Sequence, residues 1–158
     1  MTWKQKFLSF EGRMGRQDFW ICTLILWAIR WTSVIGVLMF VIASAGLASA
    51  VRGHEPADAE ALKMAMGMLV PIGIIVIIQL ALIWPEFAIN VKRFHDRDQP
   101  GALVCLFILN WVPLVNYLTI IPLFFFWLIN LGILEGTQGP NRYGQSSDPR
   151  YLSDTVFA

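Results

Sequence analysis

The sequence predicts an all-α integral membrane protein, a helical bundle of three to four transmembrane helices, and three observations carry that prediction. Hydrophobic residues make up 56% of the 158 and charged residues 15%, against about 45 to 50% and about 25% in ordinary soluble domains. The charges are segregated, since residues 31–51, 64–85 and 101–134 contain no Asp, Glu, Lys or Arg. Crossing about 30 Å of hydrocarbon takes roughly 20 apolar residues in a helix, and each block supplies them. The blocks also lack the alternation of polar and apolar residues that a membrane barrel needs, and helices are the other way for a backbone to satisfy itself in lipid.

The chain reads as a single membrane domain over residues 1–158, with spans at about 19–47 and 66–90, a broken block at 101–134 and a polar tail at 135–158. The first block begins at Phe19 and is interrupted by Arg30. A continuous helix from Phe19 to Val51 would run roughly 50 Å, so it must tilt or project beyond the bilayer. Arg30 then has to snorkel toward the head groups or pair inside the bundle, because an unpaired charge at mid-bilayer is costly. The small residues at 43–45 and 48–50 resemble a leader-cleavage site. The apolar run before them is too long for an ordinary signal core, so it is expected to remain as a span.

The block at 101–134 is too long for one simple span and short for two. Pro113 disfavours helix at Val112 and Asn116 is a turn former, so a break is expected at 113–116. A tight hairpin would return the C-terminus to the side it left; a single kinked span would place it opposite.

Orientation follows the basic residues of short loops, which stay on the cytoplasmic side. Lys4, Lys6, Arg13 and Arg16 precede the first block, and Lys92, Arg93 and Arg97 follow the second. The first connection carries Arg52 and Lys63 against Glu55, Asp58 and Glu60. The N-terminus and the second connection are therefore expected in the cytoplasm and the first connection outside. Cys22 and Cys105 lie in apolar surroundings and form no metal or redox motif, so both are expected as small buried hydrophobes. A net charge of +1 gives no reason to expect a nucleic-acid partner.

Three polar clusters stand where the apolar blocks end. The first runs from Phe10 through Gly12, Arg13 and Arg16 to Phe19 and Trp20; Trp20 is expected at the head-group layer and Asp18 as a cap on the first helix. The second packs Lys92, Arg93, His95, Asp96, Arg97 and Asp98 together before the turn residues Pro100 and Gly101. In its bland form it is a loop whose Lys92 and Arg93 meet lipid phosphates. In its sharp form Asp96 orients His95 as an acid or base. One His-Asp pair is too few ligands for a zinc site, so no metal and no cofactor is expected. The third cluster contains Gly136, Thr137, Gly139, Asn141, Arg142, Tyr143 and Gly144, turn formers that would fold the tail back on the membrane face. In the hairpin case all three clusters share one side, and Arg13, Arg16, Arg93 and Arg142 could gather round a phosphate.

These clusters resemble the bacterial domain-of-unknown-function 805 family of YhaH-like inner-membrane proteins. The pattern F-x-G-R-x-x-R-x-x-F-W is matched by Phe10, Gly12, Arg13, Arg16, Phe19 and Trp20. The loop R-R-x-H-D with a following glycine is matched at Arg93, His95, Asp96 and Gly101, and the tail G-x-x-G-x-N-x-Y-G at Gly136, Gly139, Asn141, Tyr143 and Gly144. Lys92 departs from the first loop arginine, Arg97 to Pro100 stand where T-G-x-S is usual, and Ala102 and Leu103 replace tryptophans. The resemblance implies a helical fold in the bacterial inner membrane and no particular activity.

The candidate site is accordingly a polar cytoplasmic face formed by Arg13, Arg16, Arg93, His95, Asp96, Asn141 and Arg142, with no catalytic residue assigned. Three functions compete. The first is a non-enzymatic membrane protein whose polar face binds lipid head groups or a protein partner. The second is a small transporter or channel subunit acting as a homo-oligomer, with Arg30, Gln79 and Asn130 as candidate lining. The third is a membrane enzyme on a lipid or phosphate ester using His95 and Asp96, for which no nucleophile elbow or phosphate loop is present.

Overall fold

The first helix opens on a capping box. The Thr2 hydroxyl accepts from the Gln5 amide while the Gln5 side chain accepts from the Thr2 amide, which satisfies donors that a helix start leaves over. This helix, α1, covers Trp3–Leu8. The computed structural model describes residues 2–50, 57–111 and 113–146. Within them follow α2 at Arg16–Ala50, α3 at Ala57–Asp96, a 3₁₀ segment at Gly101–Trp111, α4 at Pro113–Trp127 and a π-helical turn at Leu128–Ile133. No named β-strand occurs among the described residues. The connection at 51–56, with Arg52 and Glu55, and the tail beyond 146 lie outside the described residues.

Among the described residues three helices are long and apolar enough to cross a membrane: Arg16–Ser44, Ala65–Asp96 and Val115–Ile133. The chain itself buries only 6% of the most apolar window in each of the first two and 11% in the third. Ile21, Leu38, Phe40, Leu69, Ile77, Leu118 and Phe125 are all exposed. That much bare apolar surface is stable only in hydrocarbon, so the protein is an all-α integral membrane protein.

The described fold divides into two units. One is Ile25–Ile83, whose described residues are the later part of α2 and the earlier part of α3. Inside it the Gln79 amide donates to the Ser33 hydroxyl at 3.2 Å, and Ser33 in turn donates to the Arg30 carbonyl at 2.7 Å. Gln79 thus bonds one helix to the other, as polar side chains within bundles commonly do. The other unit is Met1–Leu24 with Trp84–Ala158. Its core is Met14, Phe19, Cys22, Ala88, Ile89, Phe94, Val104 and Leu131. Phe19 meets Trp127 at 5.7 Å, Phe94 stacks on Phe126 at 6.2 Å, and Phe10 meets Trp84 edge-on at 4.9 Å.

Several local expectations need correction. Helix α3 continues to Asp96, so Lys92 and Arg93 sit in a buried helical turn and not in a loop; the turn formers that stop it, Asp98 and Pro100, come later. Pro113 begins α4, a position where its missing N–H is no loss, and Asn116 is consequently helical. Cys22 is buried but Cys105 is exposed, because it lies on the outer side of the 3₁₀ segment. Asp18 accepts from Lys6 Nζ at 2.8 Å, two residues inside a helix that starts at Arg16.

The two ends of the block at 101–134 meet the same turn of α3. A side-chain carbon on Gly101 would lie 2.7 Å from Val91 and 2.9 Å from His95, while Leu131 and Leu134 offer their carbonyls to Arg93. The chain therefore leaves this end of α3 and comes back to it. The helix type explains how so few residues do so: an 11-residue 3₁₀ segment rises about 22 Å at 2.0 Å per residue. The 15 residues of α4 rise about the same at 1.5 Å. In a protein whose Cys22 and Cys105 are replaced, Lys4→Cys and Gln138→Cys should react with a membrane-impermeant thiol reagent from the same side. Labelling from opposite sides would refute this path of the chain.

Candidate functional site

The last turn of α3 gathers the polar residues. Lys92 and Arg93 project from it fully buried, and Asp96 ends it. The N-terminal segment reaches this turn through Gly12, whose φ of 90° is a left-handed conformation that a side chain resists. The Met14 amide then donates to the Lys92 carbonyl at 3.2 Å, which fixes Arg13 beside Asp96. On the other side the Thr137 amide donates to the Asp96 carbonyl at 2.8 Å. Gly136 lies so close that any side-chain carbon would enter the Asp96 carboxylate.

Asp96 is the hub. One carboxylate oxygen accepts from Arg13 Nε at 3.1 Å and the other from Arg93 Nη1 at 2.5 Å. The three side chains are 5%, 1% and 0% exposed for Asp96, Arg13 and Arg93, so water screens none of them. One carboxylate against two guanidiniums leaves positive charge over, and backbone carbonyls absorb it. Arg13 donates to the carbonyls of Gly139 and Thr137, each at 2.6 Å, and more distantly to Gly144 and Asp96 at 3.3 Å. Lys92 Nζ donates to the carbonyls of Gln5 and Lys6 at the end of α1.

The C-terminal end of the last helix is served by the same residues. Its final carbonyls have no partners within the helix, yet each from Ile129 to Leu134 has a donor. Ile129 receives the Leu134 amide at 3.0 Å and Asn130 receives Arg97 at 3.0 Å. Leu131 receives Arg93 Nε at 2.7 Å, Gly132 the Trp20 indole at 3.1 Å, Ile133 Arg16 at 3.2 Å and Leu134 Arg93 Nη2 at 2.6 Å. Gly132 has no side chain because the Trp20 ring lies where a Cβ would be, at 2.7 Å.

His95 is placed quite differently from its neighbour. Its ring stacks on Tyr143 with centroids 3.7 Å apart and planes 6° from parallel, and it hydrogen-bonds to the Gly12 backbone. Its Nδ1 has no partner among the described residues. Asp96, paired with Arg13 and Arg93, does not orient it, so the His-Asp pair that the alternative enzyme reading requires is not formed. Asn141 Nδ2 donates to the His95 carbonyl at 2.9 Å and to the Thr137 hydroxyl at 3.0 Å, closing the tail over the end of α3. Arg142 lies outside this, pairing with Asp98 at 3.1 Å and covering the Tyr143 ring. Arg16 is also peripheral, paired with Glu135 at 2.7 Å and 42% exposed.

Of the seven site residues read from the sequence, Arg13, Arg93, Asp96, His95 and Asn141 come together, and Arg16 and Arg142 stand at the rim. The expected gathering of Arg13, Arg16, Arg93 and Arg142 round a phosphate is not what forms, since Arg13 and Arg93 are filled by the chain's own acceptors. Sequence reading placed Thr137 and Arg97 in the polar clusters but not in the site, where Thr137 bonds Arg13 and the Arg97 guanidinium donates to the Asn130 side chain. Neither carries a composition signal. Asp98 could have been found: it stands where the family pattern has glycine and holds φ 56°, a conformation that aspartate tolerates better than most residues. Among the described residues no three His, Cys, Asp or Glu side chains stand together as a metal site would require.

The family model described as "Protein of unknown function (DUF805)" matches residues 7–145. The chain is 31% identical to "Uncharacterized protein YiiR" of Escherichia coli (strain K12), over 98% of this chain and 97% of that protein. It is 27% identical to "Inner membrane protein YhaI" of the same strain, over 95% and 93%, and 28% identical to "Inner membrane protein YhaH", over 95% and 98%. No solved structure matches.

Replacing Asp96 by Asn should lower stability in detergent by about 3 to 5 kcal/mol, because two buried guanidiniums lose their counter-charge. Arg16→Ala, which opens an exposed pair, should stay within about 1 kcal/mol of the parent. Equal effects in thermal or denaturant unfolding would deny Asp96 the role of hub. Gly136→Ala should cost about 1 to 3 kcal/mol by overpacking against the same carboxylate.

Proposed function

The chain belongs to the DUF805 family, and from the way its motif residues are committed we propose that it is a non-catalytic bacterial inner-membrane protein whose polar end faces the cytoplasm and binds lipid head groups. The relatives named as inner-membrane proteins support the location, and the basic residues flanking the first and second apolar blocks support the orientation.

The observation that carries the reading is the saturation of Asp96, Arg13 and Arg93 by one another and by backbone carbonyls. A general base needs a free lone pair within reach of a proton, and an anion clamp needs open guanidinium donors. Both are largely used up among Asp96, Arg13 and Arg93, and beside them His95 Nδ1, which has no partner among the described residues, belongs to a ring stacked on Tyr143. What remains outside this buried cluster is suited to a bilayer surface. Trp3 is 62% exposed and stacks on Phe7, with Lys6 over its ring. Lys4, Arg16 and Arg142 are exposed as well. Tryptophan favours the head-group layer and basic side chains favour lipid phosphate. The transporter reading has weaker support, since Gln79 is bonded to Ser33 and Asn130 to Arg97.

Purified protein should carry one phospholipid class enriched over a control membrane protein of similar size, as read by lipid mass spectrometry. A profile equal to the control, or a protein partner retained in stoichiometric amount in place of lipid, would replace this reading. His95→Phe, which keeps the stack on Tyr143 and removes the acid-base group, should leave the lipid profile unchanged; its loss would revive the catalytic alternative.

A further inference from the structure

At the start of α2 an open groove of about 490 Å³ is lined by Arg16, Gln17, Trp20, Ile21 and Gly132, a volume within the usual range for small-molecule sites. Its walls are mainly apolar and its polar groups lie at one end. Arg16 and Trp20 form one helical stripe, and Gln17, Ile21 and Leu24 form the next, following the spacing of i, i+4 and i+7. Along both stripes the groove runs from charged or amide groups to apolar side chains in a single turn, and the exposed Leu24 continues the stripe of the exposed Ile21 beyond the groove lining. The Trp20 ring is immobilised as a wall, because its indole N–H is held by the Gly132 carbonyl at 3.1 Å.

Both signs of charge meet at the polar end, where Arg16 lines the groove and Glu135 pairs with it from beside the lining. Arg16 Nη2 is paired with Glu135 Oε1 at 2.7 Å, the two side chains being 42% and 61% exposed. Of the five N–H groups of a guanidinium, Arg16 uses one for Glu135 and one for the Ile133 carbonyl. An exposed pair of this kind is weak and opens readily. A purely anionic head group would meet the Glu135 carboxylate as well as Arg16. A zwitterionic head group matches both, with its phosphate on Arg16 and its ammonium on Glu135.

We infer that this groove binds one zwitterionic phospholipid, its phosphate on Arg16, its primary ammonium on Glu135 and an acyl chain along Trp20, Ile21 and Leu24. The inference rests on the lipid-binding reading above and gives it a site and a lipid class. Glu135 has no other partner than Arg16 among the described contacts, so it can be changed without touching the buried cluster.

The test uses the full chain, delipidated in detergent and offered equimolar phosphatidylethanolamine and phosphatidylglycerol, with retained lipid counted by native mass spectrometry. The parent protein should retain phosphatidylethanolamine about threefold over phosphatidylglycerol, the scale of one exposed charge pair. Glu135→Gln should remove that preference, and Ile21→Trp, which fills the groove from an exposed position, should reduce retention of both lipids. Equal retention of the two by the parent, or an unchanged preference in Glu135→Gln, overturns the zwitterionic site while leaving general head-group binding in place. Retention of neither lipid removes both readings.

Discussion

A helix that ends at a membrane surface leaves its last carbonyls without partners at the depth where water is scarce. Each such group left alone there costs free energy on the scale of a lost hydrogen bond or more. The last helix of this protein meets that constraint by borrowing donors from elsewhere in the chain. Trp20 and Arg16 come from the start of α2, and Arg93 and Arg97 from the end of α3. Much of the surrounding architecture follows from supplying those donors, including the approach of Trp20 that only a glycine at 132 permits.

Burying the donors creates a second problem, which is charge. Arg93 is fully enclosed and Arg13 nearly so, and guanidinium does not give up its proton to escape. Asp96 balances one unit; the carbonyls of Leu131 and Leu134, at the negative pole of a helix, take up Arg93, and the tail carbonyls of Thr137 and Gly139 take up Arg13. The same arrangement disposes of the chemistry that His95 and Asp96 suggest as sequence neighbours. Consecutive residues on a helix point about 100° apart, and here the carboxylate turns to the arginines while the imidazole turns to Tyr143.

The membrane class was readable from composition and from the segregation of charge, because both report the solvent around the chain. The motif positions were readable as important, but not as what they are. That Arg13 and Arg93 face carbonyls and not a ligand depends on Thr137 and Gly139, 124 and 126 positions from Arg13, and on Leu131 and Leu134, 38 and 41 positions from Arg93, and such pairings leave no local pattern. The 3₁₀ segment was illegible for another reason: residues 101–111 are apolar almost throughout, and a segment with no polar face shows no period to tell one helix type from another. Asn116 misled because its turn preference is weaker than the helix start imposed by Pro113.

The capping of the last helix also has an order in time. Arg16, Trp20, Arg93 and Arg97 all precede residues 129–134, so a ribosome has finished every borrowed donor before it makes the carbonyls that need them. Apart from the Leu134 amide, which the same helix end supplies to Ile129, the final span enters a membrane where its receptors are already in place. The tail from Gly136 to Gly144 emerges after them and closes over Asp96, so the latch is made later than the frame it holds.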